Sequence, residues 1–199
     1  MRKCDILIVG VGGQGIILAS DIIAEVGLAA GYDVKKSDVL GLAVRGGSVV
    51  SQVRWGEKVE APVIIPGQVD FLLAFEPLEA LRALSYASPS TTTALVNIHP
   101  IPPVSVSSGE TLYPDLRGIR IQIQSYVKQS VFFNATELAL KIGTVRVTNM
   151  IILGAFAFLL LDIVPLYLWE KAIYRYVPKN YKDINLEAFR KGQTLLRRG

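Results

Sequence analysis

A glycine-rich loop that joins a short apolar run to a longer apolar segment constrains the fold more than any other feature of the sequence. Residues 6–9 are apolar and mostly β-branched, as expected of a strand that is buried on both faces. Glycines crowd the next six positions, and from Ile16 the pattern is that of a helix ending near Gly31. This order of strand, loop and helix predicts that backbone N–H groups and the positive end of a helix face an anion.

The glycines follow the pattern Gly10-x-Gly12-x-x-Gly15, which by itself is weak evidence for dinucleotide binding. Dinucleotide binding also requires an acidic side chain, about 20 residues further on, that binds a ribose. Asp33 comes too early in the next strand for this role and Asp38 comes too late, while two lysines occupy the strand end. The sequence therefore favours a phosphate group over a ribose diol, or no ligand at all.

Length and composition indicate a single domain over residues 1–199. A chain of 199 residues with 51% hydrophobic residues is long enough to bury a substantial core. The mean hydropathy of +0.39 is high for a small monomer, so we expect some apolar surface to belong to an interface. The net charge of +4 is modest, and no aromatic residues are interleaved with basic ones in the manner of a nucleic-acid module, so no nucleic-acid partner is predicted.

Several residue types limit the chemistry that this chain can perform. Cys4 is the only cysteine. A single thiol can form no disulfide within the chain and cannot hold an iron–sulfur cluster. His99 is the only histidine, and no serine or cysteine motif accompanies it, which favours a loop residue over a general base. The apolar run that starts at Met150 has 12 residues, whereas a membrane span needs about 20. We therefore expect a buried helix at 149–161 and a cytoplasmic location, since the N-terminal apolar run is too short for a secretory signal.

The remaining pattern predicts an α/β fold: a three-layer Rossmann-like domain with a largely parallel or mixed sheet and C-terminal helices. The segment 32–36 is predicted to be the second strand of a parallel βαβ unit. Glu76, just beyond a predicted strand, is interpreted as a helix cap or first-turn acid rather than a functional carboxylate. Further strands are predicted at 48–55, 69–75, 92–98, 103–107 and 119–124, and further helices at 135–142, 166–176 and 186–196.

A second candidate site is the segment Arg45-Gly46-Gly47 at the entrance of a predicted strand. It is either a fixed cation beside two closely approachable backbone units, or a tight turn with a solvated arginine. If consecutive parallel strands lie side by side, this turn and the glycine loop meet at the carboxyl edge of the sheet. Arg45 would then supply the charge, and the glycine N–H groups the cradle, of one site facing an anion or a partner.

Taken together, the glycine loop with Gln14, the Arg-Gly-Gly turn, and Asn149-Met150 followed by Gly154 resemble the gamma-type domain of 2-oxoacid:ferredoxin oxidoreductases. The resemblance covers nearly the whole chain and is strongest to the beta subunit of the indolepyruvate type. It carries no catalytic or metal-binding residue onto this chain. The residues predicted to bind a cofactor are Gly10, Gly12, Gly13, Gln14, Gly15, Arg45, Gly46 and Gly47.

The resemblance implies a reaction that oxidatively decarboxylates a 2-oxoacid, such as an aryl pyruvate, to an acyl-CoA and passes electrons to ferredoxin. It also implies that thiamine diphosphate, Mg and the iron–sulfur clusters lie on a large alpha subunit, because this chain lacks the Gly-Asp-Gly segment of a thiamine-diphosphate site. The chain alone is then inactive, and CoA is a co-substrate of the complex. Two alternatives remain: an independent NAD(P)-dependent reductase, and a CoA- or nucleotide-binding module without redox chemistry.

Overall fold

A six-stranded mixed sheet forms the centre of the protein, whose computed structural model describes residues 3–41 and 46–196. Arg45 lies outside these residues. The strand order is β2-β3-β1-β4-β5-β6, with β1, β4, β5 and β6 parallel and β3 antiparallel to both of its neighbours. The strands are β1 Cys4–Val11, β2 Asp33–Leu40, β3 Ser48–Gly56, β4 Phe71–Ala74, β5 Thr93–Asn97 and β6 Gln129–Phe133.

Helices cover both faces of the sheet and give the three layers that were predicted. On one face lie α1 and the C-terminal helices, packed against Ile6 and Ile8 of β1, while Leu7 and Val9 point to the opposite face, where α2 and α4 pack. The helices are α1 Ile16–Ala29, α2 Pro77–Arg82, α3 Val104–Ser107, α4 Leu116–Tyr126, α5 Ala135–Ile142, α6 Thr148–Leu159, α7 Leu166–Tyr176 and α8 Lys182–Gln193.

The prediction that β1 and β2 are neighbouring parallel strands is wrong, because β3 lies between them. Strands β2 and β3 form a hairpin that pairs from Asp33 opposite Gly56 to Leu40 opposite Val49. The charged sequence of β2 is suited to a sheet edge, whereas β3 carries Val53 and Trp55, which are fully buried. The apolar strand therefore takes the place beside β1.

The predicted β segments at 103–107 and 119–124 are also wrong, since residues 104–107 form α3 and residues 119–124 lie within α4. The order Ile-Arg-Ile-Gln-Ile-Gln from Ile119 alternates apolar and polar residues as a strand does. In the structure Ile119 and Ile123 are buried on one helix face, and Ile121 is exposed. Asp115 caps this helix by accepting a hydrogen bond from the Gly118 N–H at 3.1 Å. The strand that follows, β6, was not predicted.

The predicted helices at 135–142 and 166–176 are confirmed with the same bounds, and the buried helix predicted at 149–161 is α6. The helix predicted at 186–196 is α8, which begins and ends slightly earlier in the chain. No helix in the described part of the chain combines the length and apolar character that crossing a membrane would require.

Helices α6 and α8 cross in direct backbone contact at two glycines. A Cβ atom on Gly154 would lie 1.9 Å from the Phe189 carbonyl oxygen, and one on Gly192 would lie 2.0 Å from the Ile151 carbonyl oxygen. Both obstacles are backbone atoms, so no side-chain rotation could relieve such a contact. The two glycines therefore set the distance between the helices.

We expect Gly154→Ala to lower the free energy of unfolding by about 3 kcal/mol, because the added methyl group forces the two helices apart. Urea denaturation measures this change. Gly118→Ala is the matched control: Gly118 also lies in a helix, but a Cβ there meets nothing within 4 Å. It should stabilise the protein by about 0.5 to 1 kcal/mol. Equal stability of Gly154→Ala and the wild type would contradict the tight crossing.

Candidate functional site

A cleft of about 470 Å³ opens at the carboxyl end of β1. Its walls come from the glycine loop, the turn before β3, the segment after β5, and the N-terminal ends of α5 and α6. The residues that line it are Val11, Gly12, Gly13, Gln14, Gly15, Leu18, Gly46, His99, Ile101, Thr136, Val145, Arg146, Thr148 and Asn149.

The glycine loop and the turn before β3 touch each other at this cleft. The Gly12 N–H donates to the Gly47 carbonyl oxygen at 2.8 Å, and the Gly46 N–H donates to the Gly12 carbonyl oxygen at 3.4 Å. The two segments meet because β1 ends at Val11, opposite Ser48, where the antiparallel strand β3 begins. The predicted proximity is thus confirmed for Gly46 and Gly47, although antiparallel pairing causes it.

The side chain of Gln14 holds the glycine loop in place. Its Oε1 accepts a hydrogen bond from the Val11 N–H at 2.8 Å, and its Nε2 donates to the Phe75 carbonyl oxygen at 2.8 Å. A Cβ on Gly10 would lie 2.7 Å from this Oε1 and 2.9 Å from the Phe75 Cβ. Gln14 and Gly10 therefore build the loop, and both ends of the Gln14 amide are engaged in holding it.

The two glycines with positive φ serve different purposes. Gly15, with φ of 76°, lies against Asn149 of α6, since a Cβ there would be 2.5 Å from the Asn149 Nδ2 atom. Gly13, with φ of 106°, faces open space. The Gly13 N–H has no acceptor within residues 3–41 and 46–196. Gly13 is thus the loop position at which a ligand can approach the backbone.

The electrostatic character of the cleft is positive. Helices α1, α5 and α6 begin at its wall, and helix N-termini carry partial positive charge. Arg146 stands at the rim with an exposed side chain and no ion pair to any described carboxylate. None of the lining residues is acidic. This arrangement fits a phosphate or carboxylate group.

Glu76 is a buried helix cap, as predicted. One carboxylate oxygen accepts from the Glu79 N–H at 2.9 Å, and the other accepts from the Ile101 N–H at 3.2 Å and from the Tyr113 hydroxyl. Burial and this hydrogen bond to a carboxylate raise the pKa of Tyr113. Because Ile101 lines the cleft, Glu76 also fixes one of its walls.

The acidic residues considered for ribose binding are occupied elsewhere. Asp33 pairs with Lys35 at 2.7 Å and accepts from the Val59 N–H, and Asp38 pairs with Lys36 at 2.9 Å. Their strand, β2, is separated from β1 by β3, which places them about 5 Å further from the glycine loop than in a parallel pair. The geometry therefore opposes the binding of a dinucleotide at this loop.

Sequence reasoning missed Arg146 and Thr136 as cleft residues. Both precede or begin helices far along the chain, and no spacing relates them to the glycine loop. His99 lines the cleft with an exposed side chain, which agrees with the prediction of a loop residue. No group of three or more His, Cys, Asp or Glu side chains in the described residues is placed to hold a metal ion.

Comparison with known proteins gives consistent results. A family model described as pyruvate ferredoxin/flavodoxin oxidoreductase matches residues 5–195. The indolepyruvate oxidoreductase subunit IorB of Pyrococcus horikoshii is 36% identical over 95% of this chain and 94% of its own. The subunit of the same name from Methanothermobacter thermautotrophicus is 38% identical, with coverage of 94% and 95%. The keto/oxoacid ferredoxin oxidoreductase gamma subunit of Geobacter sulfurreducens has a similar structure, with a TM-score of 0.67, 26% identity and 95% coverage of both chains.

We expect Gln14→Glu to destabilise the protein by about 1 to 3 kcal/mol at neutral pH, because a carboxylate oxygen then faces the Phe75 carbonyl oxygen. Burial beside that carbonyl raises the folded-state pKa of the introduced carboxyl, so the folded state binds more protons. The difference in unfolding free energy between wild type and variant should therefore shrink as the pH falls through this raised pKa. Urea unfolding at neutral and mildly acidic pH measures it, with the exposed Gln122→Glu as control. A loss of unfolding free energy that stays the same at acidic pH would contradict the hydrogen bonds assigned to Gln14.

We expect Tyr113→Phe to lower the free energy of unfolding by about 1 kcal/mol, the typical net contribution of one hydrogen bond. Because the folded-state pKa of Tyr113 is raised, its contribution is complete below the ordinary value of 10.0 and is lost as the pH rises through the folded-state pKa. The difference in unfolding free energy between wild type and variant should therefore be constant at neutral pH and shrink in strong base. Tyr126→Phe, at an exposed position, should show no such difference.

Proposed function

This chain belongs to the pyruvate ferredoxin/flavodoxin oxidoreductase family, and on that premise we propose that it is the small subunit of an indolepyruvate-type complex. In this proposal the complex oxidatively decarboxylates an aryl 2-oxoacid, transfers the acyl group to CoA and passes electrons to ferredoxin. The indolepyruvate type is supported by the names of relatives that are 36% and 38% identical over nearly the whole chain.

The lack of cluster ligands in this chain supports the proposal that the cofactors are bound by another subunit of the complex. Its single cysteine, Cys4, is buried in β1, and one thiolate cannot hold an iron–sulfur cluster. We therefore assign thiamine diphosphate, Mg and the clusters to a large alpha subunit. Those cofactors would supply the decarboxylation and electron transfer, and this chain would contribute binding and orientation.

The observation that carries the proposed role is the positive cleft between the glycine loop and the turn before β3. We assign it to an anionic group, with the phosphates of CoA as the first candidate and a carboxylate of the partner as the second. The exposed Gly13 backbone and Arg146 would contact the anion, and Arg45, beside Gly46, would add charge from outside the described residues. Gly12, Gly46 and Gly47 would act indirectly by joining the two loops, and Gly10, Gln14 and Gly15 by holding the glycine loop in place.

Holding the phosphate end of CoA would help catalysis by orientation. The thiol of CoA has to reach a reaction centre that lies on another subunit, and a fixed phosphate end restricts the volume that the thiol explores. Arg146 and the N-terminal ends of three helices would supply positive charge for this purpose.

The two alternatives make different demands on the structure. An NAD(P)-dependent reductase needs a ribose-binding acid next to β1, and β3 occupies that place. A binding module without redox chemistry would use the same cleft without a partner. Tight CoA binding by the isolated chain, with no gain of activity on adding a large subunit, would favour the module.

We expect the isolated chain to be inactive, and activity to appear when it is combined with the cofactor-bearing large subunit. In that complex Arg146→Gln should raise the KM for CoA about tenfold, because one charge-assisted contact is lost, and leave the KM for the 2-oxoacid unchanged. Steady-state kinetics with each substrate varied in turn measure both values.

Lys171→Gln serves as the control, because this substitution also removes one positive charge but at an exposed position that does not line the cleft. Oxidation of a 2-oxoacid by the isolated chain would overturn the subunit assignment. An unchanged KM for CoA in Arg146→Gln would remove CoA from the cleft and leave the carboxylate of a partner as the candidate.

A further inference from the structure

A second recess lies on the other face of the sheet, also at its carboxyl edge. It is a groove of about 270 Å³ between the N-terminal ends of α2 and α4 and the ends of β5 and β6. Its lining is apolar except for two arginines, and it includes no acidic residue. The residues that line this groove are Pro77, Val96, Ile98, Leu116, Arg117, Ile119, Arg120 and Phe132.

The arginines of the described residues fall into two groups according to their partners. Four of the seven pair with a carboxylate: Arg54, Arg82, Arg175 and Arg190. The other three form no ion pair with a described carboxylate, and each lines a recess at the carboxyl edge: Arg117 and Arg120 at the groove, and Arg146 at the cleft. Unpaired arginines are thus concentrated where ligands or partners can bind.

Arg120 is held in an orientation suited to binding a carboxylate. Its guanidinium carbon lies 4.7 Å from the centre of the Phe132 ring, a cation–π contact that restricts the side chain. The N–H groups at the edge of the guanidinium make no hydrogen bond to a described residue, and they can donate two parallel hydrogen bonds to a carboxylate. Arg117 adds a second exposed cation three residues away on the same helix, α4.

The groove and the cleft lie on either side of one short segment. Ile98 lines the groove, whereas His99 and Ile101 line the cleft. Ile98 and Leu116 expose 38% and 42% of their surface, so the groove presents apolar area to solvent. A protein that covers the carboxyl edge of the sheet, as the proposed large subunit would, meets both recesses.

We propose that this groove binds a segment of the large partner subunit in which an apolar side chain is flanked by a carboxylate. The apolar side chain would fill the space between Ile98, Leu116 and Phe132, and the carboxylate would pair with Arg117 and Arg120. Charge complementarity supports this occupant, because two unpaired arginines surround the groove and no acidic residue lines it. The inference rests on the proposed function, since it identifies a contact of the same partner.

The test is a titration of the purified chain with its large subunit, at low and at high salt. Arg117→Glu should raise the dissociation constant of the complex about tenfold or more and flatten its dependence on salt. Lys171→Glu introduces the same change of charge on α7 and should raise the dissociation constant less than about threefold. Arg117→Lys should retain most of the affinity.

A second variant covers the neighbouring arginine. Arg120→Glu should weaken the complex to a similar extent, and its unfolding temperature is measured as well because Arg120 contacts Phe132. Arg117 is exposed and makes no such contact in the described residues, so we expect Arg117→Glu to keep the wild-type unfolding temperature, which is measured in the same way.

The outcomes separate this inference from the proposed function. If the wild-type chain neither assembles with the large subunit nor supports activity, the proposed function fails. If the wild type assembles but Arg117→Glu and Lys171→Glu have equal effects, the groove assignment is wrong and the proposed function stands. Sedimentation of the chain alone gives a further check: a homodimer that Arg117→Glu dissociates would assign the groove to a second copy and overturn the proposal.

Discussion

The antiparallel pairing of β3 with β1 is the constraint on which the site depends. It places the start of β3 opposite the end of β1, and the hydrogen bond between the Gly12 N–H and the Gly47 carbonyl oxygen closes the junction. A parallel neighbour would end at this edge instead of beginning there, so the segment beside the glycine loop would be the one that follows that strand and not the turn that precedes it. The same pairing moves β2 to the sheet edge, where its lysines and aspartates pair with one another.

The local elements could be predicted well from the sequence, and their arrangement less well. The bounds of α5 and α7 follow from apolar periodicity with proline or glycine at the ends, and the α/β class follows from the order of the elements. The position of β3 could not be read in this way, because it depends on competition between two strands for the place beside β1. The alternation around Ile121 suggested a strand, and only the burial of Ile119 and Ile123 against the sheet decides for a helix.

The candidate site, too, could be predicted from the sequence only in part. The resemblance of the motifs identified the family correctly, and the two loops that carry them do meet. The motif residues are nevertheless not equivalent, because Gln14 and Gly10 are occupied in building the loop, while Gly13 faces open space. Arg146 comes to the cleft from a turn more than 130 residues after Gly13 in the chain, and only tertiary structure brings them together. Residue type and spacing could not have indicated it.

The glycine crossing of α6 and α8 makes the cleft depend on a helix that does not line it. Helix α6 supplies Asn149 to the cleft, and its other flank is covered by α8. Because the two helices touch through backbone atoms at Gly154 and Gly192, α6 cannot shift along its axis unless α8 moves with it. The position of Asn149 at the cleft wall is therefore coupled to the packing of α8 on the far side of α6.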